Sequence, residues 1–349
     1  MSENRRARAL AILRAVLTHP LTQVIILTGG FVAVRQVLAR WPAALPLTAY
    51  QNKVIFIHAL AQPRAAAALF FAIGVAAALV IRRLSWRDPE LAKLRVVASA
   101  CALVLAWSYA FYPYNHFLGH AHLLDRLLVL SLAIAVVRHP AFLPPFLWMV
   151  VVVIGQFHSP LGYSWTDIDL VVDACAVLVA GLALRALGIG HAQGICLALL
   201  VLLAGEYFDA AKLKHAISPT GFEWPLHDDI NNLFVASHEN GWLPDLSESA
   251  VLTIARIGEY LRVPLQVATL MLESATLVML ASRRLTIAVL LGLIGMHIGI
   301  LLASGIFFWK WMVLCAALAW TLRVYGEGWL RPRWMILVLA PMIFFVGKV

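Results

Sequence analysis

The sequence is poor in charged residues, which make up only 13% of its 349 positions, whereas hydrophobic residues make up 62%. Charged residues fill about 25% of an average soluble domain, so this composition excludes an ordinary water-soluble globular protein. The sequence also has no polar block long enough to fold by itself, the longest running from about Lys214 to Ser249. We therefore predict an all-α integral membrane protein, a polytopic bundle of about nine to eleven transmembrane helices without a separate soluble domain.

Cysteine is scarce as well, and its pattern excludes the common cysteine-based sites. The four cysteines each lie inside an apolar run, without a CxxC pair or a spacing typical of metal ligands. We interpret them as packed thiols: Cys101, Cys175, Cys196 and Cys315.

What the sequence does contain is a series of apolar segments. A bilayer core is crossed by roughly 20 apolar residues in a helix. Eleven segments meet this expectation: 21–38, 65–81, 95–112, 122–137, 141–157, 168–186, 192–211, 263–281, 285–304, 306–322 and 334–347. The segment 141–157 contains Pro144-Pro145, which favours a broken or re-entrant helix there.

The formal net charge of +9 could suggest a nucleic-acid partner, but the basic residues sit in short loops between apolar segments. In that position lysine and arginine fix the orientation of a membrane protein, so we exclude nucleic acid and take the lipid bilayer as the partner. The basic loops occur at every second connection between the apolar segments. They therefore all fall on the same side of the membrane, which we predict to be cytoplasmic. Their main residues are Arg5, Arg6, Arg8, Arg14, Arg82, Arg83, Arg87, Lys93, Arg95, Arg138, Arg185, Arg283, Arg284, Arg323, Arg331 and Arg333.

The predicted organisation has four parts. Residues 1–20 form a cytoplasmic amphipathic N-terminus without a signal-peptide cleavage site, and residues 21–93 form the first transmembrane helices. Residues 94–322 form the transmembrane core, with an outer loop over 212–256, and residues 323–349 form a last transmembrane helix. The expected location is the cell inner membrane, with the polar outer loops facing the periplasm or exterior.

The strongest functional signal is the stretch Gly205–Trp224, where an apolar helix reaches water and ionisable residues gather. Such residues at membrane depth are costly and indicate a functional site. If the helix over 192–211 continues, Tyr207 and Lys214 share one face. A half-buried Lys214 would lose hydration of its charged form, so that the neutral amine required of a base becomes accessible. The alternatives are a Lys214 that snorkels to the surface and a catalytic Lys212, although Lys212 can also pair with Asp209 at i,i+3.

Three histidines, His116, His120 and His122, stand before the predicted fourth span. His116 and His120 are four residues apart on one helical face, a spacing that suits a shared metal ion or a proton relay. The histidine boxes of membrane di-iron enzymes include adjacent histidine pairs. This sequence has no such pair, so we predict no metal.

Four more polar residues lie within apolar surroundings. Asp169 and Asp173 are one turn apart and are expected to face the bundle interior, as partners of Arg126 or as part of a proton path. Glu273 and His297 are isolated in different helices. A hydrogen bond between them would satisfy both, and the alternative is a functional link from His297 to the outer histidines.

Three motifs together resemble the vitamin K-dependent gamma-carboxylase superfamily, which includes the bacterial horizontally transferred transmembrane (HTTM) proteins. The segment Tyr207–His215 (YFDAAKLKH) resembles the family's Tyr-Phe-x-Ala-Gly-x-x-Lys-Leu motif, and this resemblance places Lys214 on the catalytic base. The segment Gly119–Leu123 (GHAHL) is similar to the family's Asn-His-x-x-Leu, and this resemblance gives His120 the role of helper. The literal Asn-His pair at Asn115-His116 leaves His116 as the alternative. In the family, an acidic residue is followed by a basic turn and then by a helix with a histidine and a Ser/Gly/Ile/aromatic run. That order resembles Glu273, Arg283-Arg284, His297 and Ser304–Phe308 in this sequence. The similarity covers roughly Val96 to Leu322.

The resemblance implies a base-driven oxygenation, in which Lys214 deprotonates a reduced naphthoquinone (a vitamin K-type quinol), oxygen adds and an alkoxide precedes CO2 capture. His120 would hydrogen-bond the developing oxyanion. The candidate catalytic residues are Lys214, Lys212, His116, His120, His122 and Tyr207. The candidate cofactor-binding residues are Asp209, His215, Glu273 and His297. A lipid-soluble molecule is the expected substrate, and a secreted peptide or a membrane subunit is a further possible partner.

Three other functions stay open at this point. Ala211 and His215 depart from the family's motif and favour an accessory membrane protein for peptide export or maturation. A proton-coupled transporter would use Asp169, Asp173, Glu206 and His297, although it would be supported by two related halves with broken helices, which the sequence does not show. A metal-dependent oxidase would be built on the outer histidines.

Overall fold

Helices are the only regular secondary structure in the part of the chain that the structure, a computed structural model, describes. That part comprises residues 3–40, 54–61, 66–111, 123–158, 166–217, 223–227, 230–325 and 335–346. Helix accounts for 87% of it, and it contains no strand. The prediction of an all-α fold is therefore confirmed.

Fifteen α-helices occur in these ranges. Their bounds are α1 Glu3–Thr18, α2 Pro20–Arg40, α3 Ile55–Ala61, α4 Ala66–Ile81, α5 Pro89–Phe111, α6 Leu123–Arg138, α7 Leu143–His158, α8 Thr166–Ala186, α9 Ala192–Ala216, α10 Glu223–His227, α11 Ile230–Glu239, α12 Glu248–Ala275, α13 Arg283–Ser304, α14 Trp309–Thr321 and α15 Met335–Val346. Short 3₁₀ turns are formed by Pro140–Phe142, Met279–Ala281 and Leu322–Val324.

Three of these helices are long and apolar enough to cross a membrane: Pro89–Ser108, Ala192–Ala216 and Arg283–Ser304. A fourth span is possible if Ala11–Thr18 and Pro20–Ala33, which meet at a 69° bend, count as one. The bend falls where Pro20 begins α2, since proline disfavours helical geometry in the residue before it. By length and composition, the described helices are therefore compatible with a membrane protein.

Helix α12 is longer than the apolar segment that the sequence predicted over 263–281. The structure has one helix of 28 residues that begins at Glu248 and contains Pro264. Ser247 caps its start by accepting a hydrogen bond from the Ala250 amide. Pro264 has no amide hydrogen to donate to the preceding turn, yet the helix continues across it.

The chain divides into two compact units, Met1–Leu202 and Leu203–Val349, with the boundary inside α9. In the first unit, α6 packs against α5 and α7, and α4 packs against α7 and α8. The fully buried Asp125 on α6 accepts hydrogen bonds from the Ile55 and Phe56 amides, at 2.9 and 3.3 Å, at the start of α3. Helix starts leave such amides without intrahelical partners, so Asp125 has a clear structural role.

The second unit contains most of the candidate residues. Helix α13 packs against α12 and α14, and α11 packs against α12 and α13. Gly305 ends α13 in the left-handed conformation, with φ of 70°, and Trp242 packs against it. Because a side chain at Gly305 would be strained and would meet the Trp242 ring, glycine is required here. This close turn sets α14 against α13.

Candidate functional site

Helix α9 carries the lysine motif Tyr207–His215. It continues to Ala216, which is the condition under which Tyr207 and Lys214 were predicted to share one face. Tyr207 is almost completely buried, and Lys214, two turns further on, is half-buried with 20% of its side chain exposed. Both residues lie in the second unit. The helix therefore places a hydroxyl group in the core and an amine at its rim.

Lys214 forms an ion pair with Glu273 of α12, with 2.5 Å between Nζ and Oε1. The Glu273 side chain is only 5% exposed. The Lys214 ammonium also lies over the Trp224 ring, 4.8 Å from its centroid, in a cation–π contact. Because both the carboxylate and the ring attract positive charge, they stabilise an ammonium at this position.

The second oxygen of Glu273, Oε2, is buried and accepts no hydrogen bond within the described residues. Buried carboxylate oxygens normally have a partner, because leaving one without a donor is costly. An oxygen of this kind can accept a proton or a hydrogen bond from a bound molecule. The pair therefore presents an ammonium together with a carboxylate oxygen that has no hydrogen-bond partner among the described residues.

A second polar pair is formed by Tyr207 and His297, with 2.6 Å between Oη and Nε2. Aromatic rings enclose it: the Trp311 ring stands edge-on to Tyr207 at 5.0 Å, and the Phe308 ring lies 5.0 Å from the imidazole. Cys315 adds a weak contact, with its sulfur 3.9 Å from the Tyr207 hydroxyl. Nδ1 of His297 is buried without a hydrogen-bond partner in the described part of the chain.

These two pairs correct one structural interpretation of the sequence. The hydrogen bond suggested between Glu273 and His297 is not formed, because Glu273 binds Lys214 and His297 binds Tyr207. Glu273 pairs with an amine instead, and His297 pairs with a hydroxyl group. The two pairs still act on each other, since the Glu273 charge lies within electrostatic range of the Tyr207 hydroxyl.

Lys212 pairs with Asp209, as its i,i+3 spacing predicted, with 2.5 Å between Nζ and Oδ1. Its amine also lies 5.0 Å from the Phe344 ring centroid. Both side chains of this pair are partly exposed, at 21% and 35%. His215 follows Lys214 on α9 and is also half-buried. Lys212 and Lys214 thus share a helix but differ in surroundings, because only Lys214 faces a buried carboxylate.

The structure describes only some of the remaining predicted residues. His116, His120 and His122 fall outside the described residues, so the helper role of His120 stays a prediction. Asp169 and Asp173 are half-buried on α8 in the first unit. Among the residues that the structure describes, no group of three or more histidine, cysteine, aspartate or glutamate side chains is arranged to hold a metal ion.

Sequence reasoning did not identify the two pairings that define this site. Glu273 and His297 were recognised as unusual by their apolar surroundings, but their partners are 59 and 90 residues away in the chain. The cation–π contact of Trp224 was also missed. Its only signal was an aromatic residue shortly after the lysine motif, in a place where membrane-interface tryptophans are expected anyway.

No protein-family model, curated protein or solved structure matches the chain. The resemblance to the gamma-carboxylase superfamily therefore stays a prediction based on short motifs. What can be argued about chemistry depends on the geometry of the two buried pairs.

Proposed function

We propose that this protein is an integral membrane enzyme that removes a proton from a weakly acidic, lipid-soluble molecule, of which a naphthoquinol is the foremost candidate. The observation that carries the proposal is the Lys214–Glu273 pair, in which Glu273 is buried and one of its carboxylate oxygens has no described partner. The Trp224 ring beside it offers an aromatic surface for a flat substrate. The resemblance to the gamma-carboxylase superfamily points to the same lysine.

The proton transfer can be followed atom by atom. At rest the pair is an ammonium and a carboxylate. The substrate hydroxyl loses its proton either directly to Oε2 of Glu273, or to Lys214 after Lys214 has passed a proton across the 2.5 Å contact to Oε1. Both routes end with a neutral Glu273, a charged Lys214 and a substrate anion. The ammonium exchanges its carboxylate partner for that anion, which stabilises the charge where it forms.

The Tyr207–His297 pair supports this site as a fixed polar neighbour. Its 2.6 Å hydrogen bond and the surrounding rings of Trp311 and Phe308 hold both groups rigidly. Oxygen addition and CO2 capture would follow deprotonation, as in the superfamily, with His120 as the proposed donor to the oxyanion. A secreted peptide or a membrane subunit would then be the partner that receives the modification.

The proposed setting is a bacterial inner membrane, crossed nine to eleven times, with a cytoplasmic N-terminus and the Lys214 site near the outer face. It is supported by three or four helices that suit a membrane span and by the alternation of basic loops. Two cysteine variants test it, Ser85→Cys and Asn240→Cys, both at exposed positions. Because the four native cysteines are buried, a membrane-impermeant maleimide should label only the new thiols.

In intact cells the reagent should label the cysteine at 240 and should reach the one at 85 only after the membrane is opened. Labelling of both positions from the same side would contradict the topology. Release of the chain from membranes by alkaline carbonate would contradict membrane insertion itself.

The chemical proposal is tested with the purified full-length protein and a reduced naphthoquinone. Oxygen consumption above spontaneous oxidation is measured for the unchanged protein and for Lys214→Gln and Glu273→Gln. Loss of a general base costs roughly 10²–10⁴-fold in rate, so we expect both variants to fall by at least about a hundredfold.

Lys212→Gln is the matched control, because it removes a lysine two residues away that also forms an ion pair. It should keep its rate within about threefold of the unchanged protein, as expected for a partly exposed pair. A Lys214→Gln protein that oxidises the quinol at the unchanged rate would refute the acid–base role. If the unchanged protein has no activity while a cellular phenotype depends on the chain, an accessory function is favoured.

A proton-coupled transporter is a second candidate, favoured by the buried Nδ1 of His297 that has no described partner. A histidine in that state can take up and release a proton during transport. In proteoliposomes, a transporter would acidify or alkalinise the lumen when substrate is added, and His297→Gln would abolish the change. A lumen pH that stays constant during quinol turnover would exclude this candidate.

A further inference from the structure

Two adjacent arginines follow helix α4, which carries exposed apolar residues. Phe71, Val75 and Leu79 are spaced four residues apart, so they lie on one face of the helix, and they are exposed, at 37%, 40% and 58%. The helix stops at Ile81, and Arg82 and Arg83 follow at once, both exposed. An apolar helix surface that changes to guanidinium groups within one turn is the arrangement expected at the level of lipid headgroups.

The two arginines and Leu79 line a recess of about 410 Å³. That volume lies within the range of small-molecule sites. Leu79 gives the recess an apolar wall, and the arginines give it two positively charged groups. Neither arginine forms an ion pair within the described residues, so both guanidinium groups can bind an anion.

The surroundings of the recess carry further positive charge. The 3₁₀ turn Pro140–Phe142 packs against α4, and His139 precedes it. Burial lowers the pKa of His139, and the charges of Arg95 and Arg82 lower it further, which indicates a positive potential at this point. Asp88, the acidic residue of the loop between α4 and α5, is paired with Arg185 at 3.5 Å. Glu90 lies half-buried at the start of α5.

We propose that Arg82 and Arg83 bind the phosphate headgroup of an anionic phospholipid, with its acyl chain lying along the apolar surface that ends at Leu79. Guanidinium groups match phosphate oxygens in geometry as well as charge. Basic clusters next to membrane helices attract anionic lipids in general. The proposal depends on the proposed membrane insertion, but it does not depend on the chemistry at Lys214.

The test is native mass spectrometry of the purified full-length protein in detergent, titrated with phosphatidylglycerol, phosphatidylcholine and inorganic phosphate. An arginine near a membrane surface contributes about 1 kcal/mol, equivalent to roughly a fivefold change in affinity. We expect Arg82→Gln and Arg83→Gln each to weaken phosphatidylglycerol binding about fivefold, and the double variant to weaken it about 25-fold. Both side chains are exposed, so these variants should fold.

Arg256→Gln is the control, since it removes an exposed arginine of α12 in the other unit. It should bind phosphatidylglycerol like the unchanged protein, and so should Lys214→Gln, which separates this inference from the enzymatic one. Unchanged binding by the double variant would overturn the proposal. So would equal binding of phosphatidylcholine, or inorganic phosphate binding as tightly as the lipid.

Discussion

Removing the amine of Lys214 should cost far more stability than removing the amine of Lys212. Both lysines lie on α9, and both form an ion pair of 2.5 Å. Lys214→Met leaves the Glu273 carboxylate, whose side chain is 5% exposed, without a cation. Breaking a buried pair in this way costs about 3–5 kcal/mol. Lys212→Met removes the cation beside Asp209, but Asp209 is 35% exposed and can bind water instead. We therefore expect a loss of stability of about 0–1 kcal/mol.

The measurement is a denaturant titration in detergent, followed by tryptophan fluorescence and extrapolated to zero denaturant. The double variant Lys214→Met/Glu273→Leu serves as a further control. Because it removes both charges, it should recover most of the loss, since apolar replacement of a buried pair is often neutral or stabilising. Equal losses for Lys214→Met and Lys212→Met would refute the reasoning, because burial of the partner would then have no effect.

Three further predictions concern structural features. Asp125→Ala should destabilise the protein by about 1–3 kcal/mol, because two backbone amides at the start of α3 lose their acceptor; denaturant titration measures the loss, and Asp125→Asn should be milder. Gly194→Ala should lower the free energy of unfolding by about 1–3 kcal/mol in the same assay. The new methyl group would meet the hydrogen-bonded Gln23 side chain at 2.5 Å. The control Gly299→Ala, where the methyl group has open space, should leave the stability unchanged. The pKa of His139 is lowered from 6.5, chiefly by burial. Below pH 6.5 the unfolded chain therefore binds more protons at this position, and stability falls as the pH falls. His139→Asn should remove that part of the pH dependence in thermal unfolding. If the variant has the same pH profile as the unchanged protein, His139 does not lower the stability at acidic pH.

The sequence was sufficient to predict the helices near the site. The apolar runs over 192–211 and 285–304 coincide with α9 and α13, because helix formation follows from local hydrophobicity and propensity. The Asp209–Lys212 pair was predictable for a related reason, since residues three apart on a helix are always neighbours. In contrast, the segment predicted over 263–281 missed the first half of α12, because Pro264 and a change of polarity imitate a helix boundary.

The sequence predicted which residues belong to the candidate site, but it did not predict how they pair. Lys214, Glu273 and His297 each stand out because an ionisable group in apolar surroundings requires compensation. Their spacing gave no information on which group compensates which, and the bond suggested between Glu273 and His297 was the wrong one.

The sequence by itself determined that this protein is helical, that it is rich in apolar segments and that several ionisable residues gather at the end of α9. Those properties depend on composition and on contacts within one helix. Only the tertiary structure decided that Glu273 neutralises Lys214 and that Tyr207 binds His297. Such pairs join residues 59 and 90 positions apart, and they depend on how whole helices pack against each other, which local periodicity does not encode.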